Sequence, residues 1–183
     1  MQVRRVVTGI GPEGRSGIVS DGPAPRSAEY ASVPGFASAL LWSTPAAMRV
    51  GSGVNNAAKD DTPQVSFLPG PGETRLMFVT FPPDSVMMRP EFDGAAFGAE
   101  FMQKAPGLAE TFEMDHPGMH TTNSVDYDVV LDGEIVLELD DAQEVTLRRH
   151  DVVVQHGTRH AWRNRSDRPA TMLFVLMGAE RAK

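Results

Sequence analysis

Between Val125 and Met177 the chain reads as a succession of short strands divided by tight turns, and this pattern restricts the fold more than any other feature. Val125, Tyr127, Val129 and Leu131 alternate with Asp126 and Asp128, so the two sets fall on opposite faces of one strand. The first set makes an apolar face on which Tyr127 has a structural role. Asp132-Gly133 supplies a turn. Ile135, Leu137 and Leu139 continue an apolar face, with Glu138 and Asp140 opposite, and Asp140-Asp141-Ala142-Gln143 turns the chain again. Glu144–Leu147, Val152–Gln155, His160–Asn164 and Thr171–Met177 complete the set. Closely spaced short strands of this kind indicate a sandwich or a barrel.

The 183 residues suit one domain with a full-sized core. Arg5–Thr8 and Gly17–Ser20 predict a hairpin around Gly11-Pro12-Glu13-Gly14. Pro and Gly in Asp21–Arg26 then interrupt the pattern. Ala39–Ser43 and Thr74–Phe81 read as further strands, the second ended by Pro82-Pro83, and Met48–Gln64 reads as a mobile loop. Asp93 is placed to cap a helix over Ala95–Lys104, with Pro106-Gly107 ending it and one more helical turn over Leu108–Phe112. This stretch is rich in Met and Phe. It either packs on the outside of the sheet or forms a lid over a pocket.

A net charge of −7 without a basic block argues against nucleic acid as a partner. The absence of cysteine removes disulfide and thiolate chemistry. The longest apolar run, around Phe36–Trp42, is too short to cross a bilayer. Met1–Val7 has no apolar core of a secretory signal. The expectation is a cytoplasmic protein that meets a small molecule rather than a membrane. All five histidines lie from His116 to His160, which confines imidazole chemistry to the last third of the chain.

Within that third, Gly157-x2-His160-x3-Asn164 resembles the end of the second motif of the cupin superfamily, G-x5-P-x-G-x2-H-x3-N. His150 stands at the opening Gly, Gln155 or His156 at the Pro, and the motif is one residue shorter. The first motif, G-x5-H-x-H-x3–4-E-x6-G, is matched in outline by His120, Asp126 and Gly133, with Met114 at the leading Gly and Thr122 at the second His. The resemblance covers about residues 114–178. It implies an all-β fold: a double-stranded β-helix or jelly-roll barrel with an N-terminal β extension over 1–83, a helical insertion over 84–113 and the cupin core over 114–178. It also implies a homodimer.

By the same resemblance, His120, Asp126 and His160 would hold one divalent transition metal (Fe, Mn, Ni or Zn). Asp is shorter than Glu by about 1.5 Å, one C–C bond, while metal–ligand distances tolerate only about 0.2 Å. The alternative is a metal-free pocket in which the same three residues act as catalytic acid and base. Asp126 and Asp128 share a strand face, and if both are buried, like charge and desolvation would raise the pKa of one of them. Trp162 shares the side of His160 and either fills the core or forms a wall for a flat ligand. Arg75 is placed to pair with a substrate carboxylate, and Thr122, Asp128 and Gln155 join it and Trp162 as substrate-binding candidates. Arg159 and Arg163 are read as surface residues or dimer contacts, and His150 as an exposed turn residue. The functions left open are a small-molecule enzyme (dehydratase, isomerase or dioxygenase-like), a metabolite-binding module, and a structural or storage protein.

Overall fold

The computed structural model describes residues 2–11, 13–51 and 60–182. The part of the expected Met48–Gln64 loop that spans 52–59 lies outside the described residues. Among the described residues eleven strands form three sheets, accompanied by one α-helix. Strands β1 (Arg4–Ile10) and β2 (Ser16–Pro23) form an antiparallel hairpin of their own. The largest sheet takes β3 (Arg26–Glu29), β4 (Ala37–Thr44), β5 (Thr74–Phe81), β11 (Ala170–Gly178), β6 (Ser124–Asp132) and β9 (Val152–His156) in that spatial order. The smallest layer is β10 (Ala161–Arg163), β7 (Glu134–Glu138) and β8 (Glu144–Arg148).

The large and small sheets share one core. Met77 and Val79 of β5, Val130 of β6, and Met172, Phe174 and Leu176 of β11 join Ile135, Leu137 and Leu147 from the small sheet. The alternation is strict on β11, where Ala170, Met172, Phe174 and Leu176 are buried and their neighbours are only half-buried. A second cluster, Ala24, Ala39 and Leu41, lies on the other face of the large sheet, with Val3, Leu76 and Phe78 packed against it. The fold is all-β, a cupin-type barrel carrying one helix.

Two expectations change. The Pro/Gly stretch does not end β2 at Ser20: the strand runs on through Asp21, Gly22 and Pro23, and Pro23 pairs with Arg4. This is a two-stranded edge, where a missing N–H costs no central ladder bond, and Arg4 donates to both oxygens of Asp21 there. The second change concerns β6. Ser124, Asp126, Asp128 and Val130 are its buried face, while Tyr127 is 46% exposed. Pairing to β11 sets this, because Asp126 lies opposite Leu176 and Asp128 opposite Phe174, both core residues. The acidic face is inside and the apolar face outside, where Tyr127 meets Val154 across the strands.

The insertion folds as its capping signal predicts. Helix α1 (Gly94–Lys104) starts at Asp93, whose Oδ1 accepts from Ala95 N and Ala96 N at 3.0 Å each. Expected helix over Leu108–Phe112 is a 3-10 turn over Ala109–Thr111. Phe97 and Phe101 stack at 5.6 Å and join Tyr30, Phe36 and Phe112 in one aromatic cluster. The Glu100 carboxylate accepts from Ala31 N and Ser32 N at 2.9 Å and pairs with Lys104. One side of the insertion, through Phe101, Ala105 and Ala109, thus joins the core, while Met88 and Met102 stay exposed.

Turns carry visible strain. His150, where the family pattern has Gly, has φ +78°, in the left-handed region that costs a side-chain-bearing residue roughly 1–2 kcal/mol. His150→Gly removes that clash at some cost in unfolded-chain entropy. The expected net gain is about 0.5–1 kcal/mol, read as a Tm rise of about 1–4 °C at this chain length; a lower Tm would show that the turn is not strained.

Candidate active site

Two imidazoles meet where the insertion rejoins the barrel. His120 and His160 face each other across an antiparallel bridge, exchanging both backbone hydrogen bonds at 2.9 and 3.0 Å. Their rings stand 4.2 Å apart. Phe112 lies flat on His120 at 4.3 Å, and Trp162 meets His160 edge-on at 5.7 Å. Gly118 makes the approach to His120 possible: its φ is +85°, and a Cβ there would lie 2.6 Å from Arg163 Nη1. Arg163 donates to the Pro117 carbonyl and to Glu138, and Arg159 donates to both Glu113 oxygens and to Asp140. These two arginines clamp the 113–118 segment onto the small sheet.

His120 Nδ1 lies 3.1 Å from the Gly118 carbonyl and His160 Nδ1 2.9 Å from the Thr158 carbonyl. A carbonyl only accepts, so each Nδ1 carries the proton and each Nε2 keeps its lone pair. Burial, then the neighbouring His160, pushes the His120 imidazole down to about 3, and burial also lowers His160. Both rings are neutral at pH 7.

A second polar group lines the large sheet. Asp128 is fully buried and Asp126 is 4% exposed. Gln155, opposite Asp126 on β9, donates to Asp128 Oδ2 at 3.1 Å and accepts from Thr158 Oγ1 at 2.9 Å. Ser124 Oγ donates to Thr122 Oγ1 at 2.9 Å, and Thr122 Oγ1 donates to Asp126 Oδ2 at 3.4 Å. The Oδ1 atoms of Asp126 and Asp128 have no protein partner. Burial first, then the charge of Asp126, pushes the Asp128 carboxyl up to about 8, against the Gln155 hydrogen bond. Burial raises Asp126 as well. Trp162 and Phe174 link the two groups, their rings 5.7 Å apart, with Phe174 beside Asp128 across β11 and β6.

The sequence therefore brought together residues that the fold sorts into two sets. His120, His160 and Trp162 form one; Asp126, Asp128, Thr122 and Gln155 form the other. Arg75 belongs to neither. It is buried, and its Nε, Nη1 and Nη2 donate to Ser66 O, Thr74 O and Glu73 Oε2 at 2.7–2.8 Å, so its two-point geometry is used inside the chain. Two residues escaped the sequence reading. Ser124 was available by counting back two from Asp126 on the same face. Phe112 had no local signal, because its contact with His120 depends on how the insertion folds back.

The metal triad implied by the motif does not fit this arrangement. The partners of Asp126 are hydroxyls and Asp128 rather than imidazoles, and the ligand atoms of His120, Asp126 and His160 are not all within 4.8 Å of one another. Among the described residues the group that meets that limit is Glu113, Asp115 and His116, on the surface. There Arg159 already occupies the Glu113 carboxylate.

The Asn164 side chain shows why the second motif ends as it does. It donates to Phe81 O and Arg168 O at 2.9 and 2.8 Å and accepts from Ser166, tying the ends of β5 and β10 together. With both motifs placed on facing strands of one barrel, residues 110–176 match the family model of the cupin domain. Over 63 residues it is 54% identical to phomopsin biosynthesis cluster protein C' of Diaporthe leptostromiformis, covering 34% of this chain and 33% of that one. Over 82 residues it is 39% identical to the cupin-domain-containing oxidoreductase fogC of Aspergillus ruber, covering 43% and 37%. The match thus spans about a third of the length of these relatives. A solved Cupin 2 conserved barrel domain protein from Salinispora arenicola is similar over 79% of this chain and 76% of its own, at 15% identity and a TM-score of 0.40. Among the described residues no helix is long and apolar enough to cross a membrane.

Proposed function

We propose that this chain is a cupin-type enzyme of secondary metabolism that acts on a small oxygenated organic molecule by proton transfer inside the barrel. The observation that carries this reading is the opposite displacement of two neighbouring pairs. The His120 imidazole is kept neutral far below its ordinary pKa, burial lowers His160 as well, and the Asp128 carboxyl keeps its proton up to about 8. Groups driven apart in this way can serve as base and acid at one pH. His160, with its Nε2 lone pair, is the base; Asp128 is the acid; Trp162 and Phe174 lie between them. Dehydration and isomerisation need only this pair. Holding buried carboxyl oxygens without partners costs folding stability, a cost a purely structural barrel has no use for. The cluster and oxidoreductase names of the relatives support a place in secondary metabolism.

The test is disruption of the gene in its host, followed by complementation. The wild-type chain restores the metabolite profile seen by mass spectrometry, and His160→Ala does not. On the compound that accumulates, His160→Ala lowers turnover about 10²–10⁴-fold, the usual worth of a positioned acid or base. An unchanged profile after disruption, or full complementation by His160→Ala, ends the enzyme reading. Equal binding by both forms with turnover by neither makes the barrel a binding module.

A further inference from the structure

The two polar sets of the barrel are joined through one residue. The Thr158 carbonyl accepts from His160 Nδ1 at 2.9 Å, and the Thr158 hydroxyl donates to Gln155 Oε1 at 2.9 Å. At the other end of that amide, Gln155 Nε2 donates to Asp128 Oδ2 at 3.1 Å. His160, Thr158, Gln155 and Asp128 therefore form one continuous run of hydrogen bonds, with the base of the proposed reaction at one end and the acid at the other. The fold explains how they meet. Register with β6 puts Gln155 opposite Asp126, on the buried face that Asp128 shares. Gly157, at φ +59°, then turns the backbone between β9 and the His120–His160 bridge, so that residue 158 reaches both partners.

Each link has a direction. A carbonyl only accepts, so His160 carries its proton on Nδ1 and keeps the lone pair on Nε2. Gln155 Oε1 also only accepts, and the Thr158 hydroxyl fills it, which leaves an N–H of the amide to face Asp128. The carbonyl oxygen of a carboxylic acid is the acceptor for such an N–H. Oδ2 takes that role, and the proton of the neutral carboxyl sits on Oδ1. Gln155 is 3% exposed and Asp128 is fully buried, so neither exchanges its partner for bulk water. Thr158 is exposed, and a substitution there does not open the core.

We propose that Thr158 and Gln155 are positioning residues: the Thr158 carbonyl directs the His160 lone pair to Nε2, and the Thr158 hydroxyl, acting through Gln155, sets which oxygen of Asp128 is left to give up its proton. This rests on the reading of His160 as base and Asp128 as acid, and names what holds the two in register. The carbonyl link belongs to the backbone and survives a change of side chain at 158. The hydroxyl link does not, so the acid is disturbed while the base stays in place.

Thr158→Val, Gln155→Leu, their combination and Thr158→Ser, all in the full chain, test this. In nuclear magnetic resonance without substrate, the Asp128 carboxyl carbon is expected to shift in Thr158→Val, although the lost hydroxyl is bonded to Gln155 and not to Asp128. It stays in place in Thr158→Ser, which keeps the hydroxyl. The His160 ring nitrogens keep the Nδ1–H pattern in each variant. On the compound that accumulates after gene disruption, Thr158→Val and Gln155→Leu each lower kcat about tenfold, the worth of one hydrogen bond, with KM unchanged. The combined variant loses no more than either single one, because members of one network are not additive, and Thr158→Ser recovers the loss. An unmoved Asp128 resonance in Thr158→Val, additive losses, or a raised KM at unchanged kcat overturns the proposal. Full kcat in Thr158→Val beside an inactive His160→Ala removes the positioning role and leaves the enzyme reading standing. A fully active His160→Ala ends the enzyme reading and, with it, the role of both residues in a reaction.

Discussion

Asp128→Asn is expected to raise Tm above neutral pH and to flatten its fall between about pH 6.5 and pH 8. The folded carboxyl titrates near 8 and the ordinary one near 3.8. A raised folded value means that the native state holds a proton the unfolded chain has released. The stability this contributes is complete below about pH 4 and is lost as pH rises through 8. His120 runs the other way. Its folded value near 3 lies below the ordinary 6.5, so its contribution is complete above pH 6.5 and is lost as pH falls. The two slopes oppose each other between about pH 4 and 6.5, and only that of Asp128 remains above. The loss there reaches at most about 1.4 kcal/mol per pH unit, which over this window corresponds to roughly 4–8 °C in Tm. Asn has nearly the same shape, accepts from Gln155 and carries no charge. Melting curves at half-unit steps check it; identical slopes in wild type and variant would show that Asp128 is ionised at neutral pH.

Phe101→Ala is expected to cost about 3–5 kcal/mol, the range for removing a buried aromatic ring, and to lower Tm by roughly 10 °C or more. Phe101 is 8% exposed and its ring touches those of Tyr30, Phe36, Phe97 and Phe112 at 5.2–6.1 Å. The loss should not remain local. Phe112 rests on Phe101 on one side and on His120 on the other. With that support gone, water reaches His120, and its titration midpoint moves up from about 3 toward the ordinary value. Nuclear magnetic resonance of the imidazole protons reads this directly. A Tm within about 1 °C of wild type, or an unmoved His120 midpoint, would mean that the insertion does not support the site.

Much of the architecture was legible without coordinates because strands and caps are written locally. Thr74–Phe81 has the strand bounds expected of it, and Asp93 caps α1 as its position before Gly94 predicts. Gly133 closes the first motif with φ +81° where a Cβ would lie 2.7 Å from the Pro169 carbonyl, so the residue type follows from the turn. The convergence of His120 with His160 was legible through the motif spacing.

Other features were not. Alternation along β6 separates two faces but carries no sign for which is inside, and hydrophobicity points to the wrong one. The motif resemblance, which sets Asp126 inside the barrel, points to the right one, and the register with β11 and β9, set by long-range pairing, turns Asp126 and Asp128 inward. The same holds for Arg75: its residue type suits a ligand carboxylate, and its backbone neighbours claim it first.

The amino-acid sequence alone settled the class of fold, the strand boundaries near the second motif, the cap of α1, and the confinement of imidazoles to one third of the chain. Those properties depend on neighbours a few residues apart. The tertiary structure decided which charges lose their water, which donors are already taken, and that histidines and aspartates stand as two pairs rather than one triad. Burial and partner choice are set by residues distant in the chain, and desolvation, the largest influence on His120, His160, Asp126 and Asp128, exists only once those residues have closed around them.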